Sequence, residues 1–376
     1  MFDSLSHFWD RIQGSLFPEL EKELPPLTEK QQQLVATLEV IRIERFLPGF
    51  KGCVGRPQKD RAALARAFVA KAMYNMPTTR ALIDRLHSDI SLRRISGWER
   101  QSEIPDESTF SRAFTEFSES ELPNLVHNAL ISKAYEDRVV GHVSRDSTSI
   151  NGREKPLRKE KEEKKTKKRG RPKKGEERPK GEPKRLDRQI EMTQEERLAD
   201  LPKACDIGAK ANSKGNREYW IGFKCHIDTA DGDIPLGCIV TSASVHDSQV
   251  AIPLAEETAS KVTSLYDLMD SAYDCPQIIQ HSKGLGHVPI IDKNTRRNTQ
   301  AKADLEQEAK AQRTINIASP EKVRYKQRSS AERVNSRLKD DFGGRVVRVR
   351  GHAKVACHLM FGILALTADT LLNLVR

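Results

Sequence analysis

The chain has 376 residues and carries 64 Lys and Arg against 53 Asp and Glu, a net charge of +11. That length is enough for two or three domains with hydrophobic cores, and the excess of positive charge indicates a polyanionic partner. The six cysteines form no C-x-x-C pair. They also lack the spacing of a zinc site, and the pattern favours buried free thiols in a reducing cytoplasm.

Two stretches concentrate the positive charge. Residues 153–185 hold 17 Lys or Arg and 7 Glu, and residues 322–354 hold 11 Lys or Arg and 3 acidic residues. We therefore expect the anion-binding surface to lie in these two stretches.

Neither end of the chain indicates a membrane protein. The start has early acidic residues and no basic segment before an apolar block, so no signal peptide is predicted. The long apolar run Val355–Val375 contains His358, Asp369 and Asn373. We interpret it as a buried amphipathic helix, with a membrane span as the alternative.

The first third of the sequence is helical by its apolar spacing. Residues 1–50 form a helical segment that packs or dimerises, or, as a lesser alternative, contacts DNA. Residues 51–135 form a helical block in which a capped helix follows two short ones. A helix-turn-helix would expose Ser108, Ser111 and Arg112 at the start of the third helix. A small bundle without DNA contact fits the pattern equally well.

A strand at 138–152 contains the first candidate acid, Asp146, in the sequence VVGHVSRDSTSI. A carboxylate on a strand is costly to bury without a cation or hydrogen-bond donors. By pattern alone a turn aspartate is as plausible as a metal ligand. The preceding Arg145 would face a phosphate or solvent.

Residues 153–205 are predicted to be a basic, largely disordered insertion, since few are apolar and charged blocks alternate with Pro and Gly. Its KKRGRPKKG segment resembles an AT-hook, in which Arg169 and Arg171 would enter a narrow minor groove. Non-specific attraction to phosphates is the alternative.

Four further strands are predicted. Two alternating runs joined by Asp231-Gly232 form a hairpin. A fourth strand ends near Asp270 and a fifth lies in HVPIIDKN. Asp267 and Asp274 compete with Asp270 as the second candidate acid, and the pattern does not separate them. For the pair His246-Asp247, after the third strand, we favour a structural or orienting role over general base catalysis.

The most informative stretch is YKQRSSAERVNSRLK, residues 325–339. On one continuous helix, Tyr325, Arg328, Glu332 and Lys339 would share a stripe about 60° wide. The opposite face would bury Val334 and Leu338. Because Glu332 is the one carboxylate on a stripe of cations and a phenol, we predict that this helix places it among phosphates.

This spacing (Tyr, two residues, Arg, three residues, Glu, six residues, Lys) resembles the third catalytic motif of bacterial insertion-sequence DDE transposases of the fourth and fifth families. "SRDST" is similar to the context of the family's first aspartate, and Asp270 followed by Tyr273 to that of the second. The segments "GRP" and "IPDESTFSR" resemble its N-terminal DNA-binding domain.

The resemblance implies an all-α DNA-binding domain before an RNase H-like α/β catalytic domain, residues 138–152 and 206–376, with a mixed five-stranded sheet and flanking helices. It implies that Asp146, Asp270 and Glu332 hold two Mg²⁺ ions, with Mn²⁺ as a substitute. Tyr325, Arg328 and Lys339 would grip the DNA backbone.

The implied reaction is nicking of double-stranded DNA at the element ends, followed by attack of the freed 3′-OH on target DNA. We expect a homodimer on DNA and a cytoplasmic, nucleoid-associated protein without membrane contact. An RNase H-fold nuclease, or an inactive DNA-binding derivative, is the alternative function.

Overall fold

A computed structural model describes residues 26–48, 59–157, 183–211, 215–295, 299–315 and 319–375. The predicted AT-hook arginines, Arg169 and Arg171, lie outside these residues.

Within the described residues, six α-helices precede the first strand. They are α1 Glu29–Ile41, α2 Arg61–Met73, α3 Thr79–Ser88, α4 Ile90–Ser96, α5 Glu107–Glu119 and α6 Leu122–Ala134. Side-chain caps determine where several begin: the Oγ1 of Thr78 accepts from Ala81 N at 3.0 Å, and Oδ1 of Asp89 accepts from Leu92 N at 2.9 Å. Such caps satisfy backbone N–H groups that a helix start leaves unpaired.

The described strands form one six-stranded sheet. They are β1 Val139–Asn151, β2 Asp206–Ala211, β3 Arg217–Ala230, β4 Ile234–Ser242, β5 Thr263–Met269 and β6 Val288–Ile291. β3 pairs antiparallel with β1, β2 and β4, whereas β1 pairs parallel with β5 and β5 with β6. β1 therefore lies between the antiparallel and parallel parts of the sheet.

The remaining helices connect or flank these strands. They are α7 Arg185–Gln189, α8 Gln194–Asp200, α9 Ser248–Ala259, α10 Pro276–Gly284, α11 Thr299–Ile315, α12 Pro320–Tyr325, α13 Ser329–Asp340 and α14 His352–Val375.

The last helix, α14, joins the helical region to the sheet. Its Phe361 ring lies 5.7 Å from that of Phe68 in α2, and one buried apolar cluster runs from the first helices through α14 to β3. The helix is long and apolar enough to span a membrane by composition, but 83% of its most apolar window is buried in the fold. The buried Asp369 pairs with Arg337 of α13 at 2.7 Å. It is therefore a core helix, as predicted.

Two details of the prediction were wrong. The sheet has a sixth strand, β2, whose sequence DIGAKA has weak strand propensity and forms because the extended start of β3 pairs with it. The helix expected from Tyr325 to Lys339 is broken by a 3₁₀ turn at Lys326–Arg328. There the hydroxyl of Ser329 donates to Lys326 O at 3.0 Å and competes with regular α-helical bonding.

Candidate active site

The site is organised around Asp146, which β1 carries to an open edge. β1 pairs with β5 only as far as Ser144, opposite Leu268. Asp146 lies two residues beyond that pairing, and Asp270 follows the last residue of β5. Because the two strands run parallel with Ser144 opposite Leu268, residues 146 and 270 lie level with each other, just past the last β1–β5 pair.

The side chain of Asp270 is held by a backbone N–H two residues later in the chain. It is the N-cap of the 3₁₀ turn Ser271–Tyr273, and its Oδ1 accepts a hydrogen bond from Ala272 N at 2.9 Å. The competing aspartates have other roles. Asp267 is buried and accepts from Ser282 at 2.5 Å and from His287, while Asp274 accepts from Asn294 N at 2.8 Å. Of these three aspartates, Asp270 therefore stands at the strand end nearest the site.

Helix α13 packs across this edge. Val334 and Leu338 are fully buried on its inner face, as predicted. On the same helix, Asn335 Nδ2 donates to Oδ2 of Asp146 at 3.1 Å. Sequence reasoning missed Asn335, although its position one turn after Glu332 was a usable signal. This amide ties the first aspartate to the helix that carries the glutamate.

The Glu332 carboxylate forms an ion pair with an arginine. Its side chain is 55% exposed and pairs with Arg328 one turn earlier, and the Arg328 guanidinium lies 5.8 Å from the Tyr325 ring centroid. Within the described residues, no three His, Cys, Asp or Glu side chains are grouped closely enough to hold a metal ion. Glu332 is therefore on the helix that contacts Asp146, but its carboxylate pairs with Arg328.

Asp146 is poorly compensated for its burial. Burial raises its pKa to about 6, with a further rise from the charge of Asp270, while the backbone bond from Ser147, Arg328 and Lys210 act in the opposite sense. A desolvated carboxylate beside a second one favours binding of a cation, and all-oxygen donors suit Mg²⁺ or Mn²⁺. The donor set therefore fits a divalent ion.

The face of β1 opposite Asp146 contains a buried ion pair. Arg145 donates to both oxygens of Asp228, at 2.8 and 2.7 Å, and Thr258 donates to Asp228 at 2.7 Å. The expectation that Arg145 faces a phosphate or solvent is wrong, because side chains alternate along a strand and Arg145 points into the core. The pair braces the strand directly beside Asp146.

His246-Asp247 makes structural contacts. His246 Nδ1 lies 2.8 Å from the Ser248 hydroxyl, and Lys224 Nζ lies 2.9 Å from Asp247 Oδ1. The pKa of Asp247 is lowered: burial would raise it, but His226, Lys224 and a hydrogen bond from Ser147 outweigh that effect. Asp247 thus holds the residue that follows Asp146 on β1, which agrees with an orienting role.

Two predicted DNA contacts have accessible positions. Arg112 is exposed on α5, where it bonds to Ser108 of the same helix. Lys339 Nζ lies 3.4 Å from the Ser149 hydroxyl, near the Asp146 edge. Their contact with DNA stays a prediction.

A mixed sheet with flanking helices, one acidic residue on the central strand β1 and another just after its parallel neighbour β5, is the architecture expected of an RNase H-like DDE domain. Comparison with known families agrees: residues 141–368 match the family described as transposase DDE domain, and residues 18–116 match a transposase domain (DUF772). Searches of curated proteins and of solved structures found no match. The first match covers more than half of the chain, so the chain belongs to the insertion-sequence DDE transposases. Its function is DNA transposition.

Proposed function

We propose that this transposase performs divalent-metal-dependent cleavage at the ends of its element and then joins the freed 3′-OH to target DNA. Asp146, Asp270 and Glu332 would hold the metal. The observation that carries the proposal is the Asn335–Asp146 bond of 3.1 Å. It fixes the Glu332 helix against the strand whose neighbour ends at Asp270.

The chain's own groups have distinct tasks in this proposal. Asn335 keeps one oxygen of Asp146 oriented, and the Ala272 N–H does the same for Asp270. Arg328 exchanges Glu332 for a DNA phosphate, which frees the glutamate to turn toward the two aspartates. Tyr325 and Lys339 hold the backbone on either side of the cleavage position.

A bound divalent ion would supply Lewis acidity and neutralise charge that develops on the reacting phosphate. The requirement for Mg²⁺, the number of ions and the roles of the three acids belong to this proposal. So do dimerisation on DNA, nucleoid association, minor-groove binding by Arg169 and Arg171, and the assignment to the fourth and fifth families.

The test is strand transfer in vitro. Pre-cleaved element ends are incubated with full-length protein, Mg²⁺ and a plasmid target. Joined product is expected with the wild type and a loss of at least about 10³-fold with Glu332→Gln. Glu321→Gln, an exposed acid on α12, is the matched control and should retain activity. Nicks without joining would indicate a nuclease, and full activity of Glu332→Gln would overturn the assignment.

A further inference from the structure

A two-stranded extension of the sheet has no part in the chemistry described so far. β2 pairs with residues 217–222 of β3, beyond Gly222, which lies opposite Asn151 at the end of β1. We call residues 206–211 and 217–222 the hairpin arm.

The hairpin arm exposes apolar side chains. Ile207 and Ile221 are cross-strand partners and are 48% and 44% exposed, and Tyr219 on the same face is 65% exposed. No residue in the described part of the chain covers them. Exposed apolar groups that adjoin each other are more typical of a contact surface than of scattered surface residues.

The arm is preformed rather than loose. A Cβ added at Gly208 would lie 2.3 Å from the Trp220 ring, so the ring packs directly on this glycine, and Trp220 Nε1 donates to Phe223 O at 3.1 Å. At the root of the arm Gly222 has φ of 151° and its backbone lies against Ile150 O. Only glycine adopts this conformation readily.

Three basic residues, Lys339, Arg345 and Lys210, interact electrostatically near the active edge. Burial lowers the pKa of Lys339, and the charges of Arg345 and Lys210 lower it further. The charge of Lys210 also acts on Asp146. Lys210 lies on β2 opposite Glu218 of β3, so the arm itself contributes one of the charges that act on Lys339 and Asp146.

A basic segment runs beside the root of the arm. Residues 345–350 read RVVRVR and contain no acid, and Arg348 and Arg350 are exposed. The next residue, Gly351, donates its N–H to Glu154 Oε1 at 2.7 Å, which ties the segment to the chain just after β1. Several positive charges at one place attract a polyanion, and binding is favoured because counterions are released from the polyanion.

We propose that the hairpin arm, Lys210 in particular, forms with Arg348 and Arg350 a second surface that binds duplex DNA beside the active edge. The cations would contact backbone phosphates, and the strip of Ile207, Tyr219 and Ile221 would lie against the sugars of the groove wall. The inference rests on the proposed function only for the identity of the DNA, because binding itself needs no catalysis.

The test measures binding of full-length protein to a 40-bp duplex of arbitrary sequence, without divalent metal, over a range of salt concentrations. Lys210→Gln/Arg348→Gln/Arg350→Gln should reduce the slope of log K against log[salt] by about 2 to 3, since each lost phosphate contact removes about 0.9. Affinity at 0.1 M salt should fall about tenfold per contact. Lys210→Arg/Arg348→Lys/Arg350→Lys keeps the charge and should keep the wild-type slope.

Lys133→Gln/Lys302→Gln/Lys310→Gln removes the same charge from exposed positions on α6 and α11 and serves as the control. Tyr219→Ser should weaken binding with an unchanged slope. An unchanged slope for the Lys210 triple variant would overturn the inference, as would a change equal to the control's. If Tyr219→Ser lost self-association while its DNA affinity and salt slope stayed unchanged, the apolar strip would be a protein interface and the inference would be overturned. Wild-type binding without strand transfer would defeat the proposed function and leave this inference standing.

Discussion

Replacing Asp146 by Asn should make the metal-free protein more stable. Burial raises the pKa of this carboxyl from 3.8 to about 6, so the folded state holds the proton more tightly than the unfolded chain does. Above pH 6 the ionised carboxylate therefore costs stability, and this cost disappears as the pH falls through 6 toward 4. Asn has nearly the same shape, carries no charge and can still accept the bond from Asn335.

The magnitude follows from the pKa rise, which corresponds to at most about 3 kcal/mol. Partial exposure and the lost bond geometry reduce this to about 1–2 kcal/mol. With an unfolding entropy of about 2.1 cal/mol/K per residue, the midpoint of thermal unfolding should rise by about 1–3 °C.

The assay is thermal unfolding in EDTA from pH 4 to 8, repeated with Mg²⁺ or Mn²⁺. Asp146→Asn should exceed the wild type at pH 7.5 and match it near pH 4, and the divalent ion should stabilise only the wild type. Asp84→Asn, an exposed change on α3, should show neither effect. A less stable Asp146→Asn at pH 7.5, or equal stabilisation of both proteins by the ion, would refute the reasoning.

Three further changes test other parts of the account. Arg145→Met leaves Asp228 buried without its partner, so urea unfolding should show a loss of about 3–5 kcal/mol; a loss below 1 kcal/mol would contradict the bracing role. Leu338→Ala removes a fully buried side chain under α13 and should cost about 2–5 kcal/mol by the same measurement; a neutral result would mean the helix is not anchored there. Arg328→Gln frees Glu332, so Mn²⁺ binding without DNA should tighten about twofold while strand transfer falls at least tenfold; weaker Mn²⁺ binding would argue against the exchange of Glu332 for phosphate.

The parts of the fold that periodicity predicts are those whose pattern reports burial directly. The alternating runs of β3 and β4, the Asp231-Gly232 turn and the apolar stripe of α13 were all predictable, because one face of each is buried. The long apolar run is a core helix that packs in the main apolar cluster, and its buried Asp369 pairs with Arg337. The pattern alone left a membrane span open.

What sequence reasoning missed depends on tertiary contacts. β2 has a weak strand sequence and exists only because β3 extends to meet it. The 3₁₀ turn before α13 depends on a local serine bond. The spacing from Glu332 placed Asn335 on the right side of α13, but its bond to Asp146 and the burial of Arg145 require knowing which face of β1 meets α13. The choice of Asp270 over Asp267 rests on the family resemblance and stays a prediction; in the fold Asp267 accepts a hydrogen bond from Ser282 and lies beside His287.

The central claim is that Asp146, Asp270 and Glu332 share one divalent-ion site. Its most direct measurement replaces the native ion with Fe²⁺ on DNA-bound protein and maps backbone cleavage by the hydroxyl radicals that the iron generates. The account predicts cuts next to residues 146, 270 and 332, all lost together in Asp146→Asn and retained in Asp84→Asn. Cuts near the two aspartates but none near Glu332, or cuts that survive Asp146→Asn, would contradict it.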